Sequence, residues 1–198
     1  NTVTTINFDK TLKGHGWVGI RFQLDEKEDY NEIVFHVKFN ENDATLQQET
    51  LGSLGVNLIY GAYNLSDNPR KLIESLYDDI STDNVEIDMI DFSGPAFTYV
   101  DNRLMSLQLV KNGMTDAVIF NPEGNNMLPA DILYKKNIFA VRGSFRPVTL
   151  VNIDMFERGL EMFMKDSCCS FEETVVLFEI TISNLRASGD IDERDFLD

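Results

Sequence analysis

Residues 135–163 read KKNIFAVRGSFRPVTLVNIDMFERGLEMF, and this stretch sets the fold expected of the chain. It opens as a short apolar strand (137–141), breaks at Gly143-Ser144-Phe145-Arg146-Pro147, and resumes as an amphipathic helix. Ile153, Phe156, Leu160 and Phe163 share one stripe of that helix, spaced to pack onto a sheet. A strand, a tight turn and a helix start are where α/β proteins place phosphate groups, because unpaired backbone N–H groups and the helix dipole both favour an anion. Between Ile132 and Ile153 the chain has Lys135, Lys136, Arg142 and Arg146 and no acidic residue, although its net charge is -16.

Outward from this segment, the alternation of strand and helix signals predicts the architecture. Strands are expected at 85–92, 117–120, 138–141 and 175–180, with helices at 102–111 and 152–165 between them. A β-α-β-turn-β-α-β run implies parallel strands joined by crossovers. The expected fold is therefore α/β, with a mostly parallel, Rossmann-like sheet, flanking helices, and an antiparallel hairpin near the N-terminus. That hairpin pairs 17–23 with 32–38 across an acidic loop. Asp43 is placed to cap a helix through Leu46, Leu51 and Leu54; Val56 to Tyr60 reads as strand or buried helix, and Pro69 as a helix start. The 198 residues are expected to form a single α/β domain. The acidic 189–198 segment resembles the opening turns of a helix, so the domain is expected to be a fragment of a longer chain.

Composition excludes several partners. Thirty-three acids against seventeen bases oppose binding to nucleic acid or to an anionic membrane surface. No apolar run approaches the roughly 18–20 residues that cross a bilayer. The two cysteines, Cys168 and Cys169, are adjacent, which disfavours a mutual disulfide and reads as two thiols in a reducing, cytoplasmic setting. With only two histidines, no Ser/His/Asp or Cys/His nucleophile set can be assembled, and Walker, GxGxxG and zinc signatures are absent.

At the turn itself, a phosphate would meet the backbone donors of Gly143 and Ser144, with Arg142 and Arg146 as charged clamps and Thr149 as helix cap or positioning group. Elsewhere, His36 and Lys38 read as the outer face of a solvated edge strand, and Asp101 as the cap of the 102–111 helix carrying Arg103. Asp88 and Asp91 form a carboxylate pair that could hold Mg²⁺. Glu179, inside an apolar strand, either faces solvent by alternation or is a buried acid partnered by a residue such as Arg142.

Gly143, Ser144, Phe145, Pro147, Val148, Thr149, Asp154, Glu157 and Arg158 stand where the first signature of the HxGH/TxGH nucleotidylyltransferases has matching residues, and the segment resembles that superfamily. Three positions depart from its pattern: Arg146 stands in place of an acid, Val151 in place of Gly, and Asn152 in place of the signature His. The resemblance implies binding of a small phosphorylated ligand or nucleotide, and adenylyl transfer to a mononucleotide with a nucleoside triphosphate and Mg²⁺. Asn152 and Arg146 would then be the catalytic pair, and Arg142, Gly143, Ser144 and Thr149 the phosphate site. The full length is also similar to a bacterial family labelled either nicotinate-mononucleotide adenylyltransferase-like or TonB-dependent receptor, through residues 54–62, 101–113 and 133–136. The receptor label needs many alternating membrane strands of about ten residues, which the chain does not have. The alternative expectation is a non-catalytic binding or assembly module, in which Arg142 and Arg146 pair with nearby acids, or a homo-oligomer paired through an apolar edge.

Overall fold

The computed structural model describes residues 1–166, 170–187 and 189–197. Cys168 and Cys169 lie outside the described residues. The chain divides into two compact units, Asn1–Leu128 and Pro129–Asp198.

The first unit is built on a four-stranded sheet of β1 (Thr2–Thr4), β2 (His15–Phe22), β3 (Asn31–Phe39) and β4 (Val85–Ser93), in that spatial order and antiparallel throughout. Period-2 alternation turns Val18, Phe22, Ile33, Phe35, Val37 and Phe39 inward. Helices α1 (Ala44–Asn64), α2 (Pro69–Ser75) and α3 (Asn102–Lys111) follow the same logic at helical spacing. Leu54, Leu58, Leu72, Ile73, Leu76, Met105 and Leu109 close one core with the inward strand residues. Asp43 caps α1 by accepting from the N–H groups of Thr45 and Leu46, as its position in the sequence predicts. Gln47 is fully buried, yet its amide is spent at both ends. Oε1 accepts from Ile6 N at 2.7 Å and Nε2 donates to Glu41 O at 2.7 Å, which ties the N-terminal segment to α1. At the turn after β4, Gly94 takes φ +108, and a Cβ there would lie 2.6 Å from Asn31 Cα, so only glycine fits.

This sheet overturns the expected mostly parallel, Rossmann-like fold. Val56 to Tyr60 continues α1 and supplies no strand. After β3 the chain leaves along α1 and turns back through α2, and β4 then pairs antiparallel to β3. Residues 117–120 add no parallel strand beside β4 either. Only β5 (Ile119–Phe120) is extended, in a short hairpin with β6 (Asn126–Met127). The outer edge of β4 is already occupied. Ile87 N donates to Met114 O, the Asn102 amide bridges Phe92 N and Phe92 O, and Asn126 Nδ2 donates to Ile90 O at 2.9 Å. Side-chain amides thus stand in for a fifth strand.

In the second unit the parallel expectation holds for one pair. After α4 (Pro129–Leu133), β7 (Asn137–Arg142) pairs parallel with β8 (Thr174–Glu179), and α5 (Leu150–Asp166) connects them. Phe139 stacks on Phe156 and Phe163, and Phe178 on Phe156, so aromatic rings join strand and helix. Two short helices, α6 (Ile182–Leu185) and α7 (Glu193–Leu197), follow β8. Among the described residues Leu185 is the one buried apolar side chain of this unit. No helix among the described residues is long and apolar enough to cross a membrane.

Candidate functional site

The predicted phosphate turn forms as strand, turn and helix, but its polar groups already have partners. Arg142 Nη2 donates to Glu179 Oε1 at 2.8 Å across the parallel register, an exposed pair. Glu179 therefore takes the partner named from the sequence without being buried. Gly143 N donates to Glu179 O at 3.1 Å, which extends the ladder and uses one of the two backbone donors. The space beside Gly143 is filled by the ring of Phe145, 3.1 Å from where a Cβ would stand. Phe145 itself sits at φ +51 and packs edge-on against Phe178. Ser144 is exposed on the turn, and Arg146 pairs with Asp195 on α7.

Thr149 and Asn152 cap α5 for each other. Thr149 N and Oγ1 both donate to Asn152 Oδ1, at 2.9 and 2.7 Å, and Asn152 N reaches back to Thr149 Oγ1 at 3.4 Å. This is a capping box with Asn in the place usual for Glu or Gln. Its signal, Thr followed three residues later by an amide, stands in the sequence, where either Thr149 or Asn152 can cap the helix start and the nucleotidylyltransferase resemblance implies a catalytic role for Asn152.

A second cluster occupies the outer face of the first unit's sheet, and the sequence indicated it poorly. Between His36 and Val37 the β3–β4 register shifts by one residue, a bulge with Asp88 as the extra residue. Asp88 thereby reaches across to His36, and its Oδ1 lies 2.7 Å from His36 Nδ1. Lys38 Nζ lies 2.7 Å from Asp88 Oδ2 and 3.6 Å from Glu86, which also accepts from Thr115 Oγ1 at 2.6 Å. The His36 and Asp88 side chains are 4% and 1% exposed. Burial pushes the Asp88 carboxyl up, but the hydrogen bonds and charges of His36 and Lys38 outweigh it and hold the group below its ordinary value. Burial works against the Lys38 ammonium as well, and Asp88 and Glu86 more than offset it, raising its pKa.

Because a carboxylate only accepts, His36 Nδ1 is the donor in this contact. The rings of Trp17 and His15 lie beside it, with centroids 5.1 and 5.7 Å away. The expectation of a solvated edge strand at His36 and Lys38 is thus overturned, since β3 lies between β2 and β4. Asp88 is committed to this network rather than to a metal pair with Asp91, and no group of three or more candidate ligands occurs among the described residues.

Two clefts open on the first unit. One, of about 620 Å³, is lined by Asp91, Tyr99, Asp101, Arg103, Glu123 and Asn126. Asp101 caps α3, as predicted, and also grips Arg103 in two contacts, Oδ1 to Nε at 3.1 Å and Oδ2 to Nη2 at 2.7 Å. The other, of about 640 Å³, lies beside Arg21, Leu24, Tyr30 and Tyr63, with the Arg21 guanidinium over the Tyr30 ring and bonded to Glu32. Neither cleft is lined by residues of the predicted turn or of the His36 cluster. Comparison with protein-family models, with curated proteins and with solved structures finds no match.

Proposed function

We propose that the protein is a non-catalytic binding or assembly module whose second unit completes its core on a polypeptide partner. The observation that carries this reading is the imbalance of that unit. It buries Leu185 alone among its described apolar residues, while Leu150, Val151, Met155, Met162, Phe171 and Phe178 are exposed. A parallel pair of strands normally lies covered on both faces, inside a larger sheet. On the face of β7–β8 opposite α5, the alternation sets Ile138, Ala140, Val175 and Leu177. An extended segment added along a strand edge would satisfy the backbone and cover such side chains together. The paired state of Arg142 and Arg146 supports the same reading, since neither guanidinium waits for a phosphate.

A phosphate-binding function, with a nucleotide as ligand and Mg²⁺ as its counterion, is the second reading. One observation favours it: the Arg142–Glu179 pair is exposed, and such a pair contributes only about 0–1 kcal/mol, so a phosphate could displace the carboxylate. Thermal-shift titration with ATP, CTP and nicotinate mononucleotide, with and without Mg²⁺, separates the two. The binding-module reading expects no shift with any of them. A shift of several degrees that is absent in Arg146→Ala would replace it with the phosphate site.

A further inference from the structure

Helix α1 presents a long uncharged surface in an acidic chain. From Thr50 to Asn64 it carries no charged residue, whereas a quarter of the whole sequence is charged. Its inner side packs through Thr50, Leu54, Leu58, Gly61 and Ala62. Its outer side is apolar and open: Val56 is 67% exposed, and Ile59, Tyr60 and Tyr63 are each 55% exposed. Beside them Gly52 and Gly55 leave empty space, with nothing within 4 Å of where a Cβ would stand. At 100° per residue, Gly52, Val56, Ile59 and Tyr63 fall within a narrow stripe, flanked by Gly55 and Tyr60. Tyr63 leans on Phe22 with one side of its ring and keeps the other open.

We propose that this face is the interface of a two-fold homodimer in which α1 packs antiparallel on α1 of a second copy. The order of side chains along the stripe selects the occupant. The notch at Gly52 lies toward one end and the large ring of Tyr63 toward the other. A two-fold axis passing between Asn57 and Leu58 lays Tyr63 of each copy over Gly52 of its partner and sets Val56 against Ile59. The surface is therefore self-complementary, as an isologous interface requires. Charge points the same way. Chains of net charge -16 repel, and the uncharged stripe is where two can approach at least cost. Tyrosine beside glycine gives a large contact at close helix spacing. This inference uses no residue of the second unit, so it stands or falls separately from the binding-module reading.

Sedimentation velocity on the whole chain, from about 1 to 100 µM, reads the outcome directly. The expected result is a species of twice the 22.6 kDa chain mass. Val56→Glu combined with Ile59→Glu returns it to a monomer with an unchanged circular dichroism spectrum, because both side chains face outward. Gly52→Leu gives opposite signs in two measurements. The monomer melts higher, since leucine favours helix over glycine, while the dimer weakens tenfold or more because Tyr63 loses its notch. A single 22.6 kDa species across the whole range overturns the proposal, as does a dimer unaffected by either set of substitutions.

Discussion

The two units use charge and apolar surface in opposite ways. In the first, an acid, a histidine and a lysine are drawn into the outer face of a sheet whose inner face is sealed by helices. The His36–Asp88 contact there is almost wholly buried. In the second, the matching cross-strand pair, Arg142 with Glu179, stands in solvent, and the aromatic rings beneath it are only partly covered. Both pairs have short contacts, so distance does not separate them. What differs is the surrounding medium. A buried carboxylate robbed of its partners is left in low dielectric, whereas an exposed one is rehydrated. The His36–Asp88 contact is therefore informative about stability, and the Arg142–Glu179 pair nearly silent.

The largest test of this contrast concerns the cores. Phe35→Ala, at a fully buried site, should cost about 3–5 kcal/mol, read from urea unfolding followed by Trp17 fluorescence. Trp17 is the sole tryptophan and lies in the first unit, so the probe reports that unit alone. Phe139→Ala should cost the second unit less than this by hydrogen exchange, because that ring is only half-buried. Equal costs would erase the distinction.

Next in size, Asp88→Asn should cost about 1–3 kcal/mol, because it removes the charged partner shared by His36 and Lys38 while Lys38 keeps Glu86 at 3.6 Å. It should also change the pH dependence of stability. The lowered Asp88 pKa contributes stability above the unfolded carboxyl value of about 3.9, and that contribution is lost as pH falls through the lower folded value. The raised Lys38 pKa acts at the other extreme. Its contribution is present below about 10.4 and lost as pH rises through the folded value. Wild type should therefore lose stability at both ends of the pH range, and Asp88→Asn should flatten both limbs. An unaltered profile would remove the buried network from the account.

Thr149→Ala should cost about 1 kcal/mol through loss of the α5 cap, seen as faster amide exchange in the first turn. Smallest of all, Glu179→Ala should change stability by less than about 1 kcal/mol, and that difference should fade as salt is raised. A larger, salt-insensitive loss would mean that the second unit also relies on buried charge.

Local structure was legible in the sequence where pattern and cap coincide. Asp43 and Asp101 cap the helices they precede, Pro69 opens α2, and the turn at 142–149 lies between a strand and a helix. The direction of the strands was not legible. Val56 to Tyr60 satisfies strand and helix periodicity equally, and counting it either way leaves open how β4 meets β3. The edge of β4 was hidden for a different reason, because Asn102 and Asn126 act as surrogate strand through side chains that have no periodicity. At the candidate site, residue types gave the inventory of Arg142, Arg146, Thr149 and Asn152 but not their partners. Asp195 lies 49 positions beyond Arg146 in the numbering, and only folding brings it near. The Asp88 bulge escaped for a related cause, since a one-residue shift leaves no mark on composition.

The amides along β4 also bear on how this protein would fail. An open strand edge is a template on which further chains can add and grow into fibrils. Here the Asn102 side chain both accepts from Phe92 N and donates to Phe92 O, so its neutral amide has no substitute in a carboxylate, which cannot donate. Conversion of Asn102 to aspartate, by mutation or by slow chemical ageing, would uncover Phe92 O and set a negative charge beside it. At Phe92 the cover of the β4 edge thus depends on one side-chain nitrogen, beside the cover that Met114 O and the Asn126 amide give at Ile87 and Ile90.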